Sequence, residues 1–203
     1  MDQVFLLSPA RCDGARARLL LNPGATFDLA ERLRAREGAP LGEVFSFLSG
    51  LYFRGKLAYA GAFARRADST SASWIITTDR GLAPPDQRVT REDLVAFSCV
   101  DIATADERYV TPLRRDAERL AKSIGQRTRI VLLGSIATGK YADILIQVFE
   151  DRLVFPTDFV GRGDMSRGGL LLRRVREGRE LEYQPVIGAI RHGKRPPKLG
   201  RPL

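Results

Sequence analysis

The stretch QVFLLS at residues 3–8 is the first of four short apolar runs that decide the fold class. The other three cover residues 73–78, 129–133 and 152–155, and each run ends at or just before Gly, Pro, Ser or Asp. An apolar run that stops at such a residue is typical of a buried strand. Because strands that are apolar throughout are covered on both faces, the four runs predict a parallel sheet.

Helical patterns fill the intervals between these strands. Thr90 followed by Asp93 resembles a capping box and predicts one helix start. A helix through residues 170–176 that Ser166 caps, and an edge strand within residues 181–187, complete the pattern. The remaining helices are predicted at residues 15–21, 27–36, 52–66, 112–124 and 141–149.

The expected fold is therefore α/β. Strands that alternate with helices build a mainly parallel or mixed sheet of about four to five strands with helices on both faces. At 203 residues, of which 44% are hydrophobic, the chain fits a single domain. We assign residues 1–190 to this domain and residues 191–203 to a basic, Pro-rich tail without a fold pattern.

The positive charge is distributed unevenly along the chain. The formal net charge is +9, and residues 151–203 hold 12 Lys and Arg residues against 6 Asp and Glu residues. Such a field attracts polyanions because phosphate contacts release counterions. A nucleic acid or a nucleotide is therefore the expected partner. The cations of the tail are Arg191, Lys194, Arg195, Lys198 and Arg201.

The composition argues against several other classes of protein. Cys12 and Cys99 are the only cysteines and lie far apart, so neither a disulfide framework nor a metal site is expected, and no cofactor is predicted. The only histidine, His192, lies in the tail, which argues against His-dependent catalytic triads. No signal-peptide pattern and no membrane-length apolar run is present, so we expect a cytoplasmic protein without a membrane partner.

Polar loops follow the predicted strands at the edge where open parallel sheets bind ligands. If the strands are parallel, these loops converge on one rim. Ordinary turns use the same residue types, which is the alternative interpretation. The candidate phosphate or nucleic-acid contacts are Ser8, Arg11, Arg80, Gly134, Ser135, Lys140, Arg162 and Arg167, and the candidate catalytic carboxylates are Asp13, Asp79 and Asp164.

The loop GSIATGK at residues 134–140 matches the spacing of a phosphate-binding P-loop between a strand and a helix. In a P-loop the next residue supplies a hydroxyl to magnesium. Here that residue is Tyr141, whose phenol is too large for the role. Magnesium-dependent ATP or GTP hydrolysis is therefore not expected, whereas an anion at the helix start beside Lys140 is.

A glycine-rich stretch at residues 161–169 holds two arginines and a carboxylate. Arg162 and Arg167 could grip phosphate while Asp164 orients a sugar hydroxyl or an arginine. Alternatively, Asp164 or Ser166 caps a helix and both arginines are solvated.

The aromatic residues of the helix predicted at residues 52–66 indicate a core stripe rather than a base-stacking platform. Tyr52, Tyr59 and Phe63 recur at helical spacing. Arg54 and Lys56 lie near the start of the same helix, from which they could reach the rim.

Two motifs resemble the peroxide-stress, YaaA-like proteins of bacteria. Residues 5–11, FLLSPAR, are similar to the first strand and Ser-Pro-Ala-Lys loop of that family, with Arg11 in place of Lys. Residues 79–86, DRGLAPPD, are similar to a second element, with Arg80 in place of an aromatic. The resemblance implies a basic α/β protein that binds DNA and is linked to oxidative stress, and it implies no catalytic residues.

Three functions are compatible with these patterns. The first is a nucleic-acid-binding protein whose rim loops and tail contact phosphates. The second is an enzyme that acts on a nucleotide or a nucleic-acid base, for example at an N-glycosidic bond, with Asp13, Asp79 or Asp164 as its carboxylate. The third is a basic adaptor whose tail binds an acidic protein. A closed pocket would favour the enzyme, and an open groove would favour the binding protein.

Overall fold

The computed structural model describes residues 2–66 and 71–197, which form one α/β domain with a six-stranded sheet and a small two-stranded sheet. The strands are β1 (Gln3–Leu7), β2 (Ala39–Pro40), β3 (Ser73–Ile76), β4 (Leu82–Ala83), β5 (Arg88–Val89), β6 (Arg129–Leu133), β7 (Leu153–Pro156) and β8 (Tyr183–Pro185). The α-helices are α1 (Ala15–Leu21), α2 (Asp28–Arg34), α3 (Leu41–Ser49), α4 (Leu51–Phe63), α5 (Arg91–Ser98), α6 (Glu107–Ser123), α7 (Ala142–Phe149) and α8 (Asp164–Glu177).

The four apolar runs form the parallel centre of the sheet, which confirms the predicted fold class. The strand order is β4-β3-β1-β6-β7-β8. β1, β3, β6 and β7 are mutually parallel, and the short strands β4 and β8 pair antiparallel at the two edges. Every residue of β1 is buried, so both faces of the central strand are covered by helices.

The sheet has a topological switch point between β1 and β6. From β1 the chain crosses to β3 on one side and later returns to β6 on the other side. The connections that leave β1 and β6 therefore run in opposite directions and open a crevice at the carboxyl ends of these two strands. Open α/β sheets bind their ligands in such a crevice.

Helices α4 and α8 approach each other backbone to backbone. A Cβ atom added at Gly55 of α4 would lie 2.8 Å from the carbonyl oxygen of Gly168, and one added at Gly168 would lie 2.8 Å from the backbone of Leu51. Only glycine permits so close an approach. The glycine-rich stretch at residues 161–169 is therefore largely the start of α8, and Gly168 serves helix packing.

Some element boundaries differ from the predicted ones. The helix expected from Pro112 starts at Glu107 instead, because the Asp106 side chain accepts a hydrogen bond from the backbone N–H of Arg108 and caps it. Helix α3 and the two-residue strands were not predicted. At Thr90 the capping box is present, since Thr90 and Asp93 bond each other's backbone N–H groups, and this prediction is confirmed.

The basic tail packs back on the domain along residues 191–197. Arg191 donates a hydrogen bond to Asp143 at the start of α7, at 2.5 Å. The tail also covers Gly161, where a Cβ atom would meet the backbone of Lys194. The tail thus runs beside the β6–α7 and β7–α8 loops. Lys198 and Arg201 lie outside the described residues.

Within residues 2–66 and 71–197, none of the helices is both long enough and apolar enough to cross a bilayer.

Candidate functional site

A pocket of about 560 Å³ opens at the carboxyl ends of the parallel strands, at the switch point. The loops after β1, β3 and β6 contribute to its wall, as do α4, the ends of α3 and α5, and the start of α8. Six of the eleven predicted site residues line it, namely Ser8, Arg11, Asp13, Ser135, Lys140 and Asp164. The other lining residues include Cys12, Tyr52, Thr78, Phe97, Val100, Asp101, Ile102, Thr138 and Tyr141.

Directly after β1, Ser8 contacts a buried lysine from α4. The Lys56 side chain is almost completely enclosed, with 1% of the residue exposed. Its Nζ atom lies 2.5 Å from the carbonyl oxygen of Ser8 and 3.0 Å from the Ser8 Oγ atom. The same nitrogen lies 4.6 Å from the ring centre of Tyr52 and 4.4 Å from that of Phe53. Lys56 is thus held against the end of β1 by two hydrogen bonds and two aromatic rings.

Burial lowers the pKa of Lys56 to about 7, because the ammonium has lost its water. The carboxylate of Asp164 opposes this shift, and the guanidinium of Arg167 reinforces it. Among the described residues, Lys56 forms no ion pair with an Asp or Glu within 4.0 Å. A lysine in this environment is partly neutral near pH 7, which is unusual for this residue type.

The phenol of Tyr141 packs on the other side of Ser8. Tyr141 is buried, and burial raises its pKa, although the nearby Ser8 side chain and Ser135 backbone partly offset this. A Cβ atom at Gly134 would lie 2.7 Å from the Tyr141 hydroxyl and 2.8 Å from the Ser8 Cβ atom. Gly134 therefore makes room for Tyr141, and the hollow that a P-loop would offer to a phosphate at this glycine is filled by the phenol.

Tyr52 lines the pocket, while its hydroxyl is enclosed and has no hydrogen-bond partner in the described part of the chain. The residue is 5% exposed, and burial is the main reason that its pKa is raised. The positive charge of Arg167 acts in the opposite direction, but the two side chains form no hydrogen bond of acceptable geometry. A buried donor without a partner is costly.

The rim of the pocket carries both signs of charge. Arg11 and Asp13 form a two-contact ion pair, with distances of 2.6 and 3.1 Å, and both side chains are largely exposed. Lys140 is exposed on the β6–α7 loop, and Asp101 and Asp164 are exposed elsewhere on the wall. The rim therefore combines two cations with three carboxylates, and Arg11 is already paired with one of them.

Two of the five predicted residues outside the lining follow β3. Arg80 lies 2.7 Å from Asp93 and stacks over the ring of Phe97, at 5.1 Å from its centre. Asp79 is mostly buried, and burial raises its pKa. Its negative charge contributes to the raised pKa of Cys12, which lines the pocket. Arg80 and Asp79 therefore act on residues that line the pocket, Phe97 and Cys12, and do not line it themselves.

Arg162 and Arg167 bind backbone carbonyl groups instead of facing the pocket. Arg162 Nε donates to the carbonyl of Asp158 at 2.9 Å. The Arg167 guanidinium donates twice to the carbonyl of Phe159, at 3.0 and 3.2 Å. These contacts hold the β7–α8 loop in place and so position Asp164 at the pocket.

The sequence interpretation left Tyr52 and Phe97 out of the site, and it allowed Lys56 to reach the rim without predicting its contact with Ser8. Tyr52 and Lys56 belong to a helix whose aromatic pattern predicts core residues, and both are buried. The same helix, α4, also borders the pocket through Tyr52. Phe97 reaches the pocket because its carbonyl accepts a hydrogen bond of 2.8 Å from the Thr78 hydroxyl at the end of β3. No local sequence pattern predicts this hydrogen bond between Thr78 and Phe97.

Comparison of the chain with protein-family models, with curated proteins and with solved structures finds no match. The resemblance of residues 5–11 and 79–86 to YaaA-like proteins therefore stays a prediction.

Proposed function

We propose that this protein is an enzyme that binds one nucleotide in the switch-point pocket. The observation that carries the proposal is the pocket itself, which has a volume of about 560 Å³ and is lined by the loops after three of the parallel strands and by the start of α8, the helix that follows the fourth. Cavities of roughly 300–1,000 Å³ hold small ligands and cofactors. The crevice at a switch point is the place where open α/β sheets bind nucleotides.

The two sides of the pocket differ in the way that a nucleotide requires. On the β3 side, the end of α5 and the following loop contribute Phe97, Val100 and Ile102, which offer an apolar surface to a base. On the β6 side, the loop after the strand contributes Ser135, Thr138 and Lys140, which can bind phosphate oxygens. The exposed carboxylates are suited to accept hydrogen bonds from sugar hydroxyls or from amino groups of the base.

Calorimetric titration with purine and pyrimidine 5′-monophosphates, and with the matching nucleosides, tests this proposal. We expect a 5′-monophosphate to bind more tightly than its nucleoside, and Lys140→Ala to weaken that binding roughly tenfold, about 1.4 kcal/mol. Lys122→Ala is the matched control, because Lys122 is exposed in the last turn of α6 at the opposite end of the sheet. Failure of every monophosphate to bind at millimolar concentration would contradict the proposal.

A second candidate function is the binding of a nucleic-acid strand whose end nucleotide occupies the pocket. The observation in its favour is the course of the tail beside the pocket loops, where Arg191 contacts Asp143. Lys194 and Arg195 follow in the same segment and are exposed. Cations at this position could contact the phosphates of a strand that leaves the pocket.

The salt dependence of oligonucleotide binding tests the second candidate. The double variant Lys194→Ala/Arg195→Ala should lower the slope of log affinity against log salt by about one unit for each lost phosphate contact. The control is Arg176→Ala/Arg179→Ala, which removes the same charge from the far end of α8. Equal slopes for both double variants would argue against a strand that follows the tail.

A further inference from the structure

We propose that Ser8 is the nucleophile of a phosphoryl-transfer reaction in this pocket and that Lys56 is its general base. The inference rests on the proposed nucleotide site, since the phosphate of the bound nucleotide is the group that Ser8 would attack. It assigns a chemical role to a contact between β1 and α4 that a binding function alone does not require.

The geometry of the pair is that of an activated serine. The Lys56 Nζ atom lies 3.0 Å from Ser8 Oγ, within the range of about 2.6–3.2 Å expected for a nucleophile and its base. The short contact of 2.5 Å with the Ser8 carbonyl and the rings of Tyr52 and Phe53 fix the position of the amine. Ser8 lines the pocket and Lys56 does not, so the lysine is placed behind the serine.

A neutral amine satisfies both contacts at once. It has two N–H groups and one lone pair, so it can donate to the Ser8 carbonyl and accept the proton of the Ser8 hydroxyl. Burial favours this neutral form and lowers the pKa of Lys56 to about 7. The charged groups that act on Lys56 from α8 are Asp164 and Arg167, while the phenols of Tyr52 and Tyr141 are kept protonated by burial.

The first step transfers one proton and exchanges one bond. The Ser8 Oγ atom attacks phosphorus, and its proton passes to the lone pair of Lys56. The bond between phosphorus and the leaving oxygen breaks, and that oxygen takes the proton from Lys56. Water then attacks the phosphoserine and passes a proton to Lys56. The bond between phosphorus and Ser8 Oγ breaks, and Oγ takes that proton from Lys56, which restores the serine and releases phosphate. Arg11 and Lys140 line the same pocket and can balance the charge on the phosphoryl oxygens.

The experiment uses an alkyl fluorophosphonate, a phosphorus electrophile that does not need the nucleotide. Attack by Ser8 Oγ forms an O–P bond and expels fluoride, and the adduct is measured by intact mass and assigned by peptide mapping. We expect a single adduct on Ser8, none in Ser8→Ala, and normal labelling in Ser49→Ala, which removes a pocket hydroxyl at the end of α3. Lys56→Met should lower the labelling rate roughly 100-fold.

The pH profile distinguishes a base from a merely structural lysine. Labelling of the wild-type protein should rise as the pH increases through about 7, where Lys56 becomes neutral, and then level off. Lys56→Arg preserves a positive donor that does not lose its proton, so labelling should stay low without this rise. Thermal melting of each variant shows whether the protein is folded.

Two results would overturn the inference. One is a folded wild-type protein that gains no adduct on Ser8 between about pH 6 and pH 10, a window that spans the expected titration. The other is labelling of Ser8 in Lys56→Met and Lys56→Arg at the wild-type rate. Neither result depends on nucleotide binding. If a 5′-monophosphate protects Ser8 from labelling, the nucleotide site and the reactive serine are the same site. If Ser8 is labelled but no nucleotide binds, the proposed nucleotide ligand is wrong and the role of Ser8 and Lys56 still stands.

Discussion

The Tyr141 hydroxyl lies 2.7 Å from the place where a Cβ atom of residue 134 would stand. The end of β6 and the start of α7 are thereby locked together, and any side chain at residue 134 displaces the phenol or Ser8. This close contact explains why the residue directly after β6 is a glycine.

Gly134→Ala should destabilise the protein by about 1–3 kcal/mol, the usual cost of an overpacked core. Neither Ser8 nor Tyr141 can move freely, because both are buried. Urea unfolding measures the change. Gly61→Ala is the control, since a Cβ atom at this helical residue of α4 meets nothing within 4 Å, and the substitution should stabilise the helix by about 0.5–1 kcal/mol. A harmless Gly134→Ala would show that the phenol can shift.

Gly168→Ala should destabilise the packing of α4 on α8. The added methyl group would collide with the backbone of Leu51 and Tyr52, at 2.8 Å, and the two helices can avoid it only by moving apart. We expect a loss of about 1–3 kcal/mol in urea unfolding. Gly61→Ala adds the same methyl group to α4 in open space and should not destabilise the protein. Similar losses for both variants would contradict the close helix contact.

The stability of the wild-type protein should increase with pH relative to Lys56→Met. The pKa of Lys56 falls from 10.5 to about 7 on folding, so between these values the unfolded chain binds a proton that the folded protein lacks. Stability therefore rises with pH in this window, by up to about 1.4 kcal/mol per unit, and is lowest below pH 7. Urea unfolding at several pH values measures the free energy of unfolding of the wild-type protein and of Lys56→Met. If the two free energies change with pH in parallel, the prediction is wrong.

Thr90→Ala should destabilise the start of α5 by about 1 kcal/mol, because it removes half of a capping box. The Thr90 backbone N–H donates to Asp93 at 2.7 Å, and the Thr90 hydroxyl caps the backbone N–H of Asp93 in return. Thr111→Ala is a suitable comparison, since Thr111 is exposed in the middle of α6 and bonds only Glu107. That change should stay within about 0.5 kcal/mol. Thermal melting measures the stability change of both variants, and equal changes would contradict the role of the cap.

The fold could be predicted where burial alone determines the pattern. β1, β6 and β7 are covered on both faces, so their sequences are apolar without interruption. Helix α3 has buried residues at the spacing expected for a helix, Leu41, Val44, Phe45 and Leu48, and the signal was present although the prediction missed it. β2, β4 and β5 have two residues each, which is too few for any periodicity. β2 and β5 exist through pairing with each other across the chain, and β4 through pairing with the preceding strand β3.

The candidate site was predictable only in part, because its contacts join residues that are far apart along the chain. The rule for strand ends places Ser8 and Ser135 at the pocket. Nothing in the neighbourhood of Lys56, however, indicates that its amine meets Ser8, which is 48 positions away. In the same way, Arg167 looked suited to a phosphate, yet the nearest acceptor is the carbonyl of Phe159.

The short antiparallel strands at the two edges of the sheet also limit how this protein can associate. β4 is directly followed by Pro84 and Pro85, and β8 ends at Pro185. Proline has no backbone N–H to offer to an incoming strand, and brief edge strands give such a strand little to pair with. Growth of the sheet by recruitment of a foreign peptide or a second copy is therefore disfavoured at both borders. Lateral polymerisation into fibrils is held back by the same feature, so a complex with another macromolecule has to form through helices and loops.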